Sequence, residues 1–172
     1  GRFLRIRGKD YHNFGTCGYL GLELDKRLVQ GAVEAAERYG TQFSVARGYV
    51  SSGINMDLEE LLYRMYGFPV VVYPSTSSCH ISVIPTLVRD NAAIVLDQQV
   101  HMSVQTAAQL LRAKGMPVEM IRHSNLEMLE RKIHELGNRY EKIWYMVDGV
   151  YSMYGDVAPI RELKKLMEKY EQ

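Results

Sequence analysis

Apolar residues at three- and four-residue spacing predict two amphipathic helices in the first part of the chain, and each pattern stops at a glycine. The predicted helices cover residues 24–39, before Gly40, and residues 57–66, before Gly67, with Asn55 or Asp57 as the cap of the second. The segments 1–23 and 41–55 have no such period and contain many glycine or polar residues. We predict that both are irregular.

From residue 69 onward, short apolar runs alternate with helical patterns. The predicted strands are 69–73, 93–96, 117–121 and 143–147, and the predicted helices are 79–88, 101–113, 126–136 and one that begins at Pro159. Four strand-then-helix units in succession predict an α/β fold with three layers and a mainly parallel sheet. Ligands bind beyond the carboxyl ends of the strands in such sheets, so we expect the functional residues there.

The composition excludes several classes of protein. Of the 172 residues, 47% are hydrophobic and 24% are charged, which is ordinary for a globular protein. Lys and Arg number 21 and Asp and Glu 20, and this balance argues against a nucleic-acid-binding protein. No apolar run reaches the roughly 18 residues of a membrane span. Two isolated cysteines and no paired histidine spacing predict a cytoplasmic protein without a metal site.

The two ends of the sequence predict a piece of a longer polypeptide. The chain begins without an initiator methionine, and it stops at residues 170–172 within a helical pattern. An α/β pattern that has completed a helix normally continues into another strand. A natural chain end on a surface helix is the alternative.

Hydroxyl residues follow the first predicted strand and open the next helix. They are Ser75, Thr76 and Ser77. Backbone N–H groups, hydroxyl groups and the positive end of the helix would surround one point there, which predicts an anion site, most naturally for a phosphate. A helix cap with additional serines is the alternative, since neither a P-loop nor a GxGxxG fingerprint is present.

Polar residues also follow the second and fourth predicted strands. His101 heads a helix, where it could stack on a ring, donate a hydrogen bond or shuttle a proton, or simply bond its own loop. Asp148 is placed to orient a ligand or a neighbouring side chain, and Ser152 can donate a hydrogen bond into the same cleft. A purely structural loop is the alternative for this segment. Three other histidines are predicted, from their spacing along the chain, to lack chemical partners: His12, His123 and His134.

Four motifs are distributed over nearly the whole chain. They are 19–22 (YLGL), 58–67 (beginning Leu-Glu and ending in Gly), 97–103 (D-x-x-x-H-M-S) and 147–159 (VDGVYSMYGDVAP). In order and spacing the set resembles the α-oxoamine synthase family of pyridoxal-phosphate enzymes, whose corresponding motifs are YLGL, LE-x-x-L-A-x-x-x-G, D-x-x-x-H-A-S and E-G-V-F-S-M-D-G-D-x-A-P.

The resemblance implies the fold type I aminotransferase architecture. Residues 1–23 would form an N-terminal arm, and residues 24–172 the first part of an incomplete large domain. It further implies pyridoxal 5'-phosphate as the cofactor and a homodimer. The complete protein would condense an amino acid with an acyl-CoA, usually with loss of carbon dioxide.

The resemblance also assigns roles to residues. Cofactor phosphate would be held by Ser75, Thr76 and Ser77. His101 falls on the family histidine that stacks on the pyridine ring and helps to position the substrate, so it is the candidate catalytic residue. Ser152 falls on a serine that bonds near the phenolic oxygen of the cofactor, and Asp148 falls where the family usually has Glu.

Several departures place the chain in a divergent branch of that family. Ser77 replaces an aromatic residue, His80 a common Asn and Tyr154 an Asp. Asn55 stands in place of His, and the glycine-rich stretch expected in 41–54 is absent. The sequence also ends before the family's aspartate for the pyridine nitrogen and its Schiff-base lysine. An aminotransferase or lyase of the same fold, or a catalytically inactive binding or dimerisation module, therefore stay open as alternatives.

Overall fold

The computed structural model describes residues 2–42 and 46–170, and these residues divide into two compact units, with the boundary between Phe68 and Pro69. Part of the segment 41–55 that we predicted to be irregular, and the last two residues of the predicted terminal helix, lie outside the described residues.

The first unit begins with a hairpin of two antiparallel strands, β1 (Phe3–Ile6) and β2 (Lys9–His12), where the sequence had predicted an irregular segment. That prediction is wrong for these residues. Arg7 and Gly8 form the two-residue turn, and both have a positive φ, of 50° and 77°, as the twist of a tight hairpin requires.

Two helices follow in this unit, α1 (Lys26–Tyr39) and α2 (Gly53–Tyr66), and both predicted glycine stops are confirmed. The start of α2 was predicted too late. Ser52 is its N-cap and its hydroxyl accepts a hydrogen bond from the backbone N–H of Asn55. Asn55 therefore lies inside the helix and does not cap it.

The second unit alternates helices and strands. In chain order these are α3 (Thr76–Leu87), β3 (Ala92–Asp97), α4 (Met102–Arg112), β4 (Val118–Ile121), α5 (Leu126–Gly137), β5 (Lys142–Met146) and α6 (Ile160–Met167). The strands form one parallel sheet in the order β4-β3-β5, which confirms three of the four predicted strands. No helix among the described residues is long and apolar enough to cross a membrane.

The predicted strand at 69–73 is wrong for this structure. The described chain has no strand there, and Val71 is 65% exposed. An apolar run becomes a strand only where a neighbouring strand supplies the ladder of hydrogen bonds, and within the described residues the sheet comprises β4, β3 and β5 alone. Helix α3 also begins three residues before its predicted start, since Ser75 and Ser78 form a capping box.

The sheet carries helices on both faces, which confirms the predicted three layers. Alternate residues of β3 face opposite ways: Ile94 and Leu96 pack with α4, while Ala93 and Val95 pack with α5 and α6. The connection from β3 to β4 therefore lies on one face and that from β4 to β5 on the other. Such a reversal opens a crevice at the carboxyl ends of the strands on either side of it, here β3 and β5.

Replacing Leu129 with alanine is expected to lower the free energy of unfolding by about 2–5 kcal/mol, because this α5 side chain is fully buried against the sheet. The matched control is Leu110→Ala in α4, where the same atoms are removed from a side chain that is 44% exposed. The control is expected to lose less than about 1 kcal/mol. Chemical denaturation followed by circular dichroism measures both, and equal losses would contradict the layer assignment.

Candidate functional site

The N-terminus of α3 presents hydrogen-bond donors at the edge of the sheet. Ser75 is the N-cap, and its hydroxyl accepts from the backbone N–H of Ser78 at 3.1 Å. The first N–H groups of a helix, here those of Thr76 and Ser77, have no acceptor within the helix. Both residues are exposed, and in the described chain their hydroxyls have no hydrogen-bond partner. This end of α3 can therefore donate to an anion, while the Ser75 hydroxyl serves the cap.

His101 and Asp148 meet in the crevice between β3 and β5. His101 is the N-cap of α4, and its Nδ1 accepts from the backbone N–H of Ser103 at 3.2 Å. The backbone N–H of His101 donates to Oδ2 of Asp148 at 2.9 Å. Strands β3 and β5 are parallel neighbours, so the residues that follow them lie close together. Asp148 therefore holds the backbone of His101, the residue predicted to stack on a ring.

Ser103, in the first turn of α4, contacts both His101 and His80 of α3. Its buried hydroxyl lies 2.7 Å from Nδ1 of His101 and 2.8 Å from Nδ1 of His80. His80 is one helical turn beyond Thr76, so the exposed donors of α3 and the imidazole of His101 belong to the same end of the unit. The structure thus brings the predicted anion site and His101 together, through two residues to which the sequence assigned no role.

Ser152 lies on an exposed turn of the loop between β5 and α6. This loop is closed by its own hydrogen bonds, from Gly155 N–H to the Tyr151 carbonyl at 2.7 Å and from Tyr151 N–H to the Asp156 carbonyl at 2.9 Å. In the part of the chain that the structure describes, Ser152 has no hydrogen bond to His101 or Asp148. Its hydroxyl is free to donate to a ligand.

A buried carboxylate at the end of β3 organises a second group of polar residues that sequence reasoning missed. Asp97 is fully buried. Its Oδ1 accepts from the backbone N–H of Gln99 at 2.8 Å and lies 2.9 Å from Nδ1 of His123. Its Oδ2 accepts from the backbone N–H of Ser124 at 2.7 Å and from the Tyr145 hydroxyl at 3.2 Å.

His123 extends this group to the loop that carries Ser152. Its Nε2 lies 2.8 Å from Oδ2 of Asp156. The rings of Tyr151 and Tyr154 lie nearly perpendicular to the His123 ring, at centroid distances of 4.4 and 5.2 Å. The prediction that His123 lacks a chemical partner is therefore wrong, as it is for His134, whose Nε2 lies 2.8 Å from the Tyr170 hydroxyl.

A signal for the contact between Asp97 and His123 was present in the sequence. Asp97 is the last residue of β3 and pairs in register with Ile121, the last residue of β4, so His123 follows its strand by only two residues. The rule that carboxyl ends of parallel strands meet would have found this pair. Spacing along the chain, which is used to recognise metal-ligand motifs, does not reveal this pair.

The protonation states of this group follow from its contacts. Burial alone would raise the pKa of Asp97, but the N–H groups of Ser124 and Gln99 and the His123 ring hold it below its ordinary value. Hydrogen bonds to Asp156 and Asp97 raise the pKa of His123. Burial, followed by the charge of Asp97, raises the pKa of the Tyr145 hydroxyl. These contacts thus favour the anionic form of Asp97 and the cationic form of His123 more than water would.

The model of the aminotransferase class I and II family matches residues 9–172. The chain is 32% identical over 167 residues to 8-amino-7-oxononanoate synthase of Symbiobacterium thermophilum, with 96% of this chain and 42% of that protein covered. The corresponding enzyme of Thermoanaerobacter pseudethanolicus is 34% identical, with the same coverage. The chain therefore spans about 42% of the length of these curated relatives.

Among solved structures, the chain resembles serine palmitoyltransferase from S. paucimobilis, solved with pyridoxal phosphate and myriocin bound. The TM-score is 0.84 at 27% sequence identity, and the match covers 98% of this chain and 43% of that one. The fold expected from the sequence, part of the large domain of a fold type I enzyme, is confirmed by this match.

Replacing His123 with glutamine is expected to destabilise the protein most at acidic pH. The pKa of His123 in the folded protein lies above its ordinary value of 6.5, so its contribution to stability is complete below about pH 6.5 and is lost as the pH rises through the folded value. Removal of hydrogen bonds to a charged group predicts a loss of about 1.5–3 kcal/mol at about pH 6.

Urea unfolding of wild type and His123→Gln at a series of pH values measures this difference. Asp156→Asn removes the first cause of the raised pKa and is expected to weaken the pH dependence. A difference between wild type and His123→Gln that stays constant between about pH 5 and about pH 9 would contradict the assigned charge of His123.

Proposed function

The chain belongs to the aminotransferase class I and II family, and we propose that the complete protein is a pyridoxal-phosphate-dependent acyltransferase that condenses an amino acid with an acyl-CoA. The similarity of the chain to 8-amino-7-oxononanoate synthase and serine palmitoyltransferase supports this proposal. The observation that carries the proposal is that a helix end with free N–H donors and an exposed imidazole lie at one edge of the sheet.

The residues present at this edge fit a phosphorylated aromatic cofactor. Thr76 and Ser77 offer backbone N–H groups and exposed hydroxyls for its phosphate, with the positive end of α3 adding to the attraction. Ser75 contributes by capping the helix that presents these donors. His101 supplies a planar ring at the start of α4, held by the bond of its backbone N–H to Asp148.

When bound, pyridoxal phosphate supplies an electron sink for bonds at the α-carbon of an amino acid. The residues of this chain bind and orient. In the proposed arrangement His101 stacks on the cofactor ring, and Ser152, on its exposed turn, donates a hydrogen bond near the phenolic oxygen. Asp148 keeps His101 in place, since its carboxylate accepts the backbone N–H of that residue at 2.9 Å.

We further propose a homodimer in the cytoplasm. Helices α1 and α2 contain no buried residue although both are amphipathic, and Leu28 and Leu61 are examples of their exposed apolar side chains. A second chain would cover such a surface. Cys17 and Cys79 are both free thiols, in keeping with a reducing compartment.

The double variant Thr76→Val, Ser77→Ala of the full-length protein is expected to raise the Kd for pyridoxal phosphate about tenfold or more, since it removes two hydroxyl donors to a charged group. The control is Thr86→Val, which removes a hydroxyl from the same helix at the opposite end, where it bonds the Ser82 carbonyl. Equilibrium dialysis with pyridoxal phosphate and with pyridoxal separates the phosphate contribution. An equal loss of affinity for both compounds would contradict the phosphate assignment.

The reaction itself is tested on the full-length protein loaded with pyridoxal phosphate. Free CoA is expected to appear only when an amino acid and an acyl-CoA are both present, and thiol release measures it. Conversion of the amino acid to a keto acid without a thioester would instead assign an aminotransferase. Cofactor binding with neither reaction, over a panel of amino acids and acyl-CoA chain lengths, would overturn the proposal in favour of an inactive binding module.

A further inference from the structure

The hydrogen bonds around Ser103 fix the hydrogen positions of two histidine rings. The backbone N–H of Ser103 donates to Nδ1 of His101 at 3.2 Å. A backbone amide has one hydrogen and cannot accept, so Nδ1 of His101 must carry a lone pair and no hydrogen. The hydrogen of the neutral His101 ring is therefore on Nε2.

The Ser103 hydroxyl then has only one possible direction. Its oxygen lies 2.7 Å from the same Nδ1 of His101, which has no hydrogen to give, so the hydroxyl must donate to it. This uses the single hydroxyl hydrogen. The Nδ1 atom of His80, 2.8 Å from the Ser103 oxygen, must therefore be the donor in that contact. Hydrogen bonds run from His80 through Ser103 to His101.

We propose that His80 is a positioning residue, which acts through Ser103 to hold His101 in the tautomer with its hydrogen on Nε2. The Nδ1–H of His80 donates to one lone pair of the Ser103 oxygen, so the hydroxyl cannot donate towards His80 and its hydrogen stays directed at His101. Ser103 is buried and His80 is half-buried, so water competes little for these bonds.

The tautomer limits what His101 can do in the proposed function, and this step of the argument rests on that function. The single lone pair of Nδ1 is shared by the O–H and N–H donors of Ser103, and Nε2 carries a hydrogen. His101 can thus offer a ring face and one N–H donor, but it has no free lone pair with which to remove a proton from a substrate. Of the possibilities considered for this residue, stacking on a ring and donation of a hydrogen bond fit the structure, and proton abstraction does not. The bond to its own helix start, the plain alternative, is observed as well.

Nitrogen-15 NMR of the full-length protein, labelled at histidine and free of cofactor, tests the hydrogen positions directly. At about pH 8.5, where histidine is ordinarily neutral, we expect the hydrogen on Nε2 in His101 and on Nδ1 in His80. Single histidine variants assign the signals. A hydrogen on Nε2 of His80 would overturn the proposal, as would a hydrogen on Nδ1 of His101.

Variants of His80 test its action on His101. His80→Leu removes the donor, so the Ser103 hydroxyl can turn and accept from Nδ1 of His101. Only the longer contact from the Ser103 N–H, at 3.2 Å, then opposes that tautomer, and we expect the His101 signals to shift towards a mixture of the two tautomers. His80→Asn retains an N–H that can donate to the Ser103 oxygen, and it is expected to restore the wild-type His101 signals. The control His134→Leu removes a surface histidine of α5 and is expected to leave them unchanged. Identical His101 signals in wild type and His80→Leu would overturn the proposal.

In the loaded enzyme, we expect His80→Leu to lower kcat/KM for the amino acid about tenfold, and His80→Asn to lower it less than about twofold. Equal losses in both variants would count against action through Ser103. The NMR result is obtained without cofactor or substrate. An absence of CoA release with the expected tautomers would thus overturn only the proposed reaction.

Discussion

The fully buried carboxylate of Asp97 is the group on which the geometry of this sheet edge depends. A charge removed from water is strongly unfavourable unless hydrogen bonds replace its hydration. Here the replacements come from Gln99 after β3, from His123 and Ser124 after β4, and from Tyr145 in β5. Since the donors belong to three neighbouring strands or the turns that follow them, satisfying one carboxylate fixes the ends of all three strands relative to one another.

This constraint extends to the residues proposed to bind the cofactor. Asp97 lies four residues before His101, and the backbone N–H of Val100 bonds the Asp97 carbonyl at 3.1 Å. On the other side, His123 connects Asp97 to Asp156, and hence to the loop that presents Ser152. The crevice therefore has two walls that depend on the same buried charge, although Asp97 itself is inaccessible to any ligand.

Sequence patterns predicted the parts of the fold whose stability is local or follows from burial. The run 92–97 is buried at every position, so its apolar pattern and the aspartate that ends it identified β3. The run 69–73 carried the same pattern but depends on a partner strand, which local sequence cannot supply. The hairpin of β1 and β2 was not predicted, because each strand has only four residues and all of them are exposed. Arg7 and Gly8, with their positive φ, form its turn.

The residues of the candidate site were predicted only where they follow a strand. His101 and Asp148 were found in this way. His80 and Ser103 were given no role, because their contact joins two helices.

Two histidines of this unit show how the same side chain acquires opposite properties from its donors and acceptors. His123 has a carboxylate at each ring nitrogen, so both nitrogens favour a hydrogen and the pKa rises. His101 has the N–H and O–H donors of Ser103 at one nitrogen, which leaves a hydrogen only at the other. The ring that is stabilised as a cation joins a loop to the sheet, and the ring that offers one N–H donor is exposed where a ligand can reach it. Both arrangements are produced by neighbouring residues that need not touch a ligand themselves.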